Sequence, residues 1–235
     1  MTNDVVHTRE IAGLTATQLE LDVGGRSVRL WAVPDLEGLV DRGALLRGEA
    51  EPPYWAYLWS GARVLASYLV RFVDVRGLRV LEIGCGLALP GITAAVLGAE
   101  TTLVDLAAPA LAFADASAAA NRVACTTLTS DFTRLDANLQ FDVVLAAEIA
   151  YERARYDDLA AVFVRHLRPG GIALLADGYR TDTRGLYAAL AACGCETHAC
   201  DLRVDEEGRP MPVRLTAIRH RADGINSRDT ARRPA

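Results

Sequence analysis

No lysine occurs in the 235 residues, so all 25 basic side chains are arginine. Arginine and alanine abundance together mark a GC-rich coding sequence. A sharper corollary is that an enzyme acting on lysine would have none of its own to modify. A dense basic block is also missing and the net charge is -5, which leaves no electrostatic footprint for a nucleic acid. No apolar run reaches membrane-spanning length, and the opening MTNDVVHTRE has neither a basic start nor an apolar centre. The expectation is a soluble, cytoplasmic protein with no membrane partner. Five cysteines, an odd number without a secretion signal, argue against a disulfide framework.

Three of those cysteines cluster with a histidine as Cys193, Cys195, His198 and Cys200. On a strand over 196–204, His198 and Cys200 would share one face while Cys195 points to the other. Four ligands cannot then converge as zinc requires, so the expectation is small buried residues with free thiols and no metal.

What is present is apolar and ordered in a repeating way. The composition is 51% hydrophobic, which suits a sheet covered on both faces. Residues 19–33 alternate as a hairpin turning at Gly24-Gly25, a polar helical segment covers 35–47, and an amphipathic helix over 60–72 has Ser60 as its expected N-cap. From Arg79 strand and helix alternate: strands near 79–83, 101–104, 126–129, 141–147 and 171–176, helices near 89–98, 107–121, 153–166 and 183–192. Segments 196–204 and 213–219 flank the turn EEGRPMP as an antiparallel pair. The fold class is therefore α/β, a doubly wound and mostly parallel sheet.

The most informative stretch is RVLEIGCGLALPGITAAVLG, Arg79 to Gly98. A strand breaking on Gly84-Cys85-Gly86 into a helix brings backbone N–H groups close to a ligand. At the end of the next strand Asp105, followed by Leu106, is placed to accept hydrogen bonds from a ribose. The third glycine of a dinucleotide fingerprint is missing, since Leu89 stands there. Glu82 would repel a pyrophosphate but can pair with the cationic amino group of a methionine moiety. The pattern therefore points to S-adenosylmethionine.

Ligands in such sheets sit beyond the carboxyl ends of the strands. After the third strand, Asp131 can accept the adenine amino group, or simply cap a helix, and Phe132 can cover the ring. After the fourth come Ala147, Glu148 and, three further on, Tyr151. An acid and an aromatic facing the departing methyl suit transfer to an amine.

The run from Pro53 to about Arg180 resembles the seven-strand protein lysine methyltransferases, most of all the group acting on the β subunit of electron-transfer flavoprotein. PYWAYLWSGARVLASYL, LEIGCGLALPGITAAVLGA, FDVVLAAEIAY and ADGYR carry the resemblance. It implies a Rossmann-like seven-stranded methyltransferase fold, Trp59 bordering the donor, and Glu148 and Tyr151 facing the target lysine. Two departures fall on the acceptor side: where that group shows a D-x-F-Y pattern, Glu148 replaces the aspartate and Ala150 the phenylalanine, and Asp177-Gly178-Tyr179-Arg180 replaces a D-P-G-R pattern. The acceptor thus stays open between a protein lysine and a small amine or hydroxyl metabolite, and a non-catalytic nucleoside-binding scaffold remains a third reading. The expected organisation is an N-terminal extension with its hairpin over 1–52, a methyltransferase domain over 53–221, and a disordered tail over 222–235.

Overall fold

A computed structural model describes residues 7–49, 51–179, 181–206 and 208–221 of the chain. Its centre is a seven-stranded sheet built from β4 (Arg79–Ile83), β5 (Glu100–Asp105), β6 (Cys125–Thr129), β7 (Phe141–Ala147), β8 (Leu167–Gly178), β9 (Cys195–Glu206) and β10 (Arg209–His220). The spatial order is β6-β5-β4-β7-β8-β10-β9. Strands β4 to β8 pair in parallel, and β10 and β9 close the far edge in antiparallel fashion. The chain runs outward from β4 through β5 to β6, then returns to place β7 on the other side of β4. That reversal opens a crevice beyond the carboxyl ends of β4 and β7.

Side chains of β4 alternate between two cores, as period two requires. Val80 faces α2 (Ser60–Phe72) and α3 (Leu89–Val96), while Leu81 and Ile83 face α5 (Tyr156–His166) and α6 (Arg184–Ala192). Helix α4 (Ala108–Ala120) packs with α3 on the first face. Gly91 lets α3 approach closely, because a Cβ there would lie 2.3 Å from the Leu103 side chain and 2.5 Å from Glu82 Oε2.

The expected hairpin is present as β2 (Leu14–Val23) and β3 (Arg26–Ala32), joined by β1 (Thr8–Ile11) in a separate three-stranded sheet. Trp31, Leu30 and Val28 anchor it against α4, where Phe113 is fully buried. The segment over 35–47 is broken rather than one helix: a single 3-10 turn precedes α1 (Arg42–Leu46). Asp35 and Asp41 take the backbone N–H groups of Gly38 and Ala44, so local capping interrupts the run.

Ser60 is the first residue inside α2 and Trp59 is its N-cap, with no capping by the Trp59 side chain. Strand β8 starts four residues earlier than expected, with Pro169-Gly170-Gly171 inside it as an irregularity in its register with β7. Of the clustered cysteines only Cys195 is buried; Cys193 and Cys200 are exposed, because the latter two occupy a helix end and the outward face of an edge strand. Residue 180 and the segment 222–235 lie outside the described residues. Among the described residues no helix is long and apolar enough to cross a membrane.

Candidate active site

Two adjoining cavities occupy the crevice. The larger, about 230 Å³, lies over the ends of β4, β5 and β7. Trp59, Glu82, Gly84, Cys85, Gly86, Asp105, Leu106, Phe132, Ala147, Glu148 and Tyr151 all line it. The smaller, about 170 Å³, is lined by Ala150, Asp177, Gly178, Thr181 and Thr183. Tyr54, Trp59, Glu148 and Tyr151 line both, and so form the wall between them.

The floor of the larger cavity is set by the turn after β4. Gly84 and Gly86 have φ of 58° and 50°, a left-handed conformation that a Cβ strains. There is no room for one either: at Gly84 it would lie 2.8 Å from Ile149, and at Gly86 2.9 Å from the Trp55 carbonyl oxygen. Asp105 pins the turn by accepting the Gly86 N–H at 2.8 Å and the Ala107 N–H at 2.9 Å. Burial nevertheless pushes its carboxyl above the usual range, outweighing those hydrogen bonds.

Glu82 sits below the turn, 1% exposed, accepting the Gly91 N–H at 2.7 Å. Burial raises its pKa from 4.5 to about 8, with the Gly91 hydrogen bond opposing and the negative charge of Asp105 adding to the rise. Such a carboxyl gains most from a cation brought beside it. The Cys85 thiol is held neutral, first by burial and then by the charges of Glu82 and Asp105.

Asp131 is the expected site residue that does not line the cavity. Its carboxylate accepts from Thr133 N and Oγ1, at 3.0 and 2.9 Å, and both oxygens take Arg155 Nη2 at 2.9 Å. Burial pulls the carboxyl up, but the Thr133 and Arg155 hydrogen bonds win and hold it below the usual range. Arg155 lines the cavity instead, its guanidinium 4.9 Å from the Phe132 ring centroid. No pattern in the sequence singles Arg155 out; only the fold brings a residue 24 positions away onto Asp131.

Glu148 is the keystone of the shared wall. Its φ is 57°, a left-handed conformation that costs a non-glycine residue roughly 1–3 kcal/mol and tends to be found at functional sites. Its Oε1 accepts the Gly61 N–H at 3.0 Å and its Oε2 the Gly178 N–H at 3.1 Å. The carboxylate therefore caps the first turn of α2 from 87 residues away, where the helix dipole favours negative charge. Gly61 is needed there, since a Cβ would lie 2.9 Å from Glu148 Oε1. Around it Tyr54 stands 5.8 Å from Tyr151 and 6.3 Å from Trp59, ring centroid to centroid. Trp59 Nε1 donates to the Tyr54 carbonyl at 3.0 Å, which fixes the indole.

Residues 80–171 match a family described as a methyltransferase domain. The protein N-lysine methyltransferase METTL21A of Danio rerio is 35% identical over 130 residues, 51% of this chain and 58% of that protein. A ubiquinone biosynthesis O-methyltransferase of Rickettsia conorii is 29% identical over 119 residues, 51% of this chain and 41% of that protein. The chain spans about half the length of these curated relatives. Among solved structures, the T. thermophilus 16S rRNA methyltransferase RsmC, in complex with AdoMet and guanosine, superposes with a TM-score of 0.63 at 16% identity, over 91% of this chain and 52% of that one. Residues 80–171 are thus similar to a methyltransferase domain, and the seven-stranded sheet built around them has the fold of solved methyltransferases.

Proposed function

We propose that the protein is an S-adenosylmethionine-dependent N-methyltransferase whose acceptor is a lysine side chain of another protein. The observation carrying this reading is the pair of cavities that meet at Tyr54, Trp59, Glu148 and Tyr151. The larger fits the donor in its chemistry: Asp105 offers carboxylate acceptors for ribose hydroxyls, Glu82 a partner for an ammonium, and Leu106 and Phe132 apolar surface for a base. The smaller is lined by aromatic rings and by Glu148 and Asp177, a lining that favours a slender cationic group.

The donor supplies a methyl on a positively charged sulfur, and transfer converts that sulfonium to a neutral thioether as a carbon–nitrogen bond forms. Glu148 accepts from the amine and aligns its lone pair along the line of displacement. The faces of Tyr54, Trp59 and Tyr151 stabilise positive charge as it spreads from sulfur to nitrogen. The amine must arrive neutral, so its proton leaves to solvent past Tyr151, a residue 52% exposed. Similarity to a protein lysine methyltransferase at 35% identity supports the same acceptor class.

A small metabolite is the second reading, favoured by the ubiquinone O-methyltransferase relatives and by the space Ala150 leaves in the smaller cavity. Incubating the protein with methyl-labelled donor and a size-fractionated lysate separates the two. Label in discrete proteins, lost on Glu148→Ala, is the expected result; label confined to the small-molecule fraction overturns the lysine reading.

A further inference from the structure

The floor of the smaller cavity is made where β8 ends. Gly178 is its last residue, paired with Val213, and beyond it Thr181 and Thr183 supply one wall. Residue 179 stands between the Gly178 amide that holds Glu148 and that wall. Tyr179 is 51% exposed, so burial does not fix it.

What fixes it comes from the antiparallel edge. Arg214 of β10 pairs across the sheet with Asp177 on one side and Asp201 on the other. Its Nε donates to Asp201 Oδ1 at 2.9 Å and its Nη2 to Asp201 Oδ2 at 3.4 Å, while Nη2 also donates to the Tyr179 hydroxyl at 3.0 Å. The guanidinium carbon stands 5.0 Å from the Tyr179 ring centroid. Asp201 is held below the usual carboxylate range, first by Arg214 and then by Tyr179. A planar fork that bonds a carboxylate and a phenol while facing a ring is a guanidinium task that an ammonium does not reproduce.

We infer that Arg214 is a positioning residue for the acceptor cavity: gripped by Asp201, it clasps Tyr179 and so keeps the Gly178 amide on Glu148 Oε2. The outer hairpin, far from the donor, thereby reaches the acceptor side of the site. The inference rests on the lysine-methylation reading only for its catalytic consequence; the clasp itself is testable without an acceptor. Because the contacts are exposed, their loss costs the whole fold little, which makes the local effect separable.

The test compares the full chain with Arg214→Ala, Arg214→Lys and Tyr179→Phe. Amide hydrogen exchange at Gly178 and at Thr181 to Thr183 is expected to quicken about tenfold in both Arg214 variants and less in Tyr179→Phe. S-adenosylhomocysteine affinity should stay within about twofold of the parent, since no clasp residue lines the larger cavity. With n-butylamine as the lysine mimic, KM should rise about tenfold more than kcat falls, and Arg214→Lys should not rescue it. Unchanged exchange at Gly178 in Arg214→Ala overturns the inference. So does a uniform quickening along β9 and β10, which would mean a frayed hairpin. Failure of the parent to methylate n-butylamine counts against the amine reading alone, because the exchange data still judge the clasp.

Discussion

The two halves of the crevice, the one proposed for the donor and the one proposed for the acceptor, are built in different ways. On the donor side, residues close in sequence make the site: Glu82, Gly84, Gly86 and Gly91 lie within ten positions, and Asp105 closes the turn by binding Gly86. On the acceptor side, Glu148 binds Gly61 and Gly178, and the aromatic wall joins Tyr54 and Trp59 to Tyr151. The first is a local device whose geometry follows from one strand–turn–helix. The second exists only when segments nearly 90 residues apart converge. A local device can keep one chemistry, binding a methyl donor, while an assembled one can change its acceptor by changing any of several loops.

That contrast can be broken most sharply at Gly86. A Gly86→Val side chain meets both a φ of 50° and the Trp55 carbonyl oxygen 2.9 Å from its Cβ. Donor affinity by calorimetry should fall at least about a hundredfold, and turnover with it. Near-normal binding would mean that the turn is not the donor cradle.

Glu148→Gln tests the other half. It should cost about a hundred- to a thousandfold in turnover while S-adenosylhomocysteine affinity changes less than about threefold. Glu148→Ala should also lower the melting temperature, because α2 loses its remote cap, worth about 1 kcal/mol. Equal losses in donor binding and turnover would erase the division between the halves.

Glu82 gives a smaller but diagnostic effect. Its folded pKa of about 8 lies above the ordinary glutamate value of 4.5. Below that lower value both folded and unfolded chains hold the proton, and between the two only the folded chain does. Its contribution to stability is therefore fully present in acid and is lost as pH rises through that window. A bound ammonium favours the carboxylate, so donor binding at neutral pH should release close to about one proton. Titrations in buffers of different ionisation enthalpy read that number directly. Glu82→Gln should bind about tenfold more weakly with no proton released; unaltered proton release in the variant would remove Glu82 from the ammonium site.

The smallest effect is expected at Asp131, whose carboxylate serves Arg155 rather than the cavity. Asp131→Asn should weaken donor affinity by no more than about fivefold, the range for a partly exposed ion pair. A loss as large as that at Gly86 would restore Asp131 to direct contact with the base.

The same contrast explains what could be read from the residues alone. The β4–β8 alternation, the hairpin at Gly24-Gly25 and the glycine turn after β4 are legible because period-two strands, glycine punctuation and a carboxylate at a strand end are local signals. Arg155 and the Arg214–Asp201–Tyr179 clasp left no such trace. Neither did the use of Glu148 as a helix cap, since its partner amides at Gly61 and Gly178 carry no side-chain signature. Ser60 is therefore not the N-cap of α2: it lies inside the helix, and a carboxylate that accepts from its first turn comes from Glu148, just after β7. The segment over 35–47 departs from a single helix for another reason, because Asp35 and Asp41 offer the backbone partners that compete with a helix.

The most direct test is the structure of the protein in complex with S-adenosylhomocysteine. The expected complex has ribose hydroxyls on Asp105, the amino group over Glu82, and the sulfur facing the wall of Tyr54, Trp59, Glu148 and Tyr151. An empty crevice at saturating ligand, or a sulfur turned away from that wall, would contradict it.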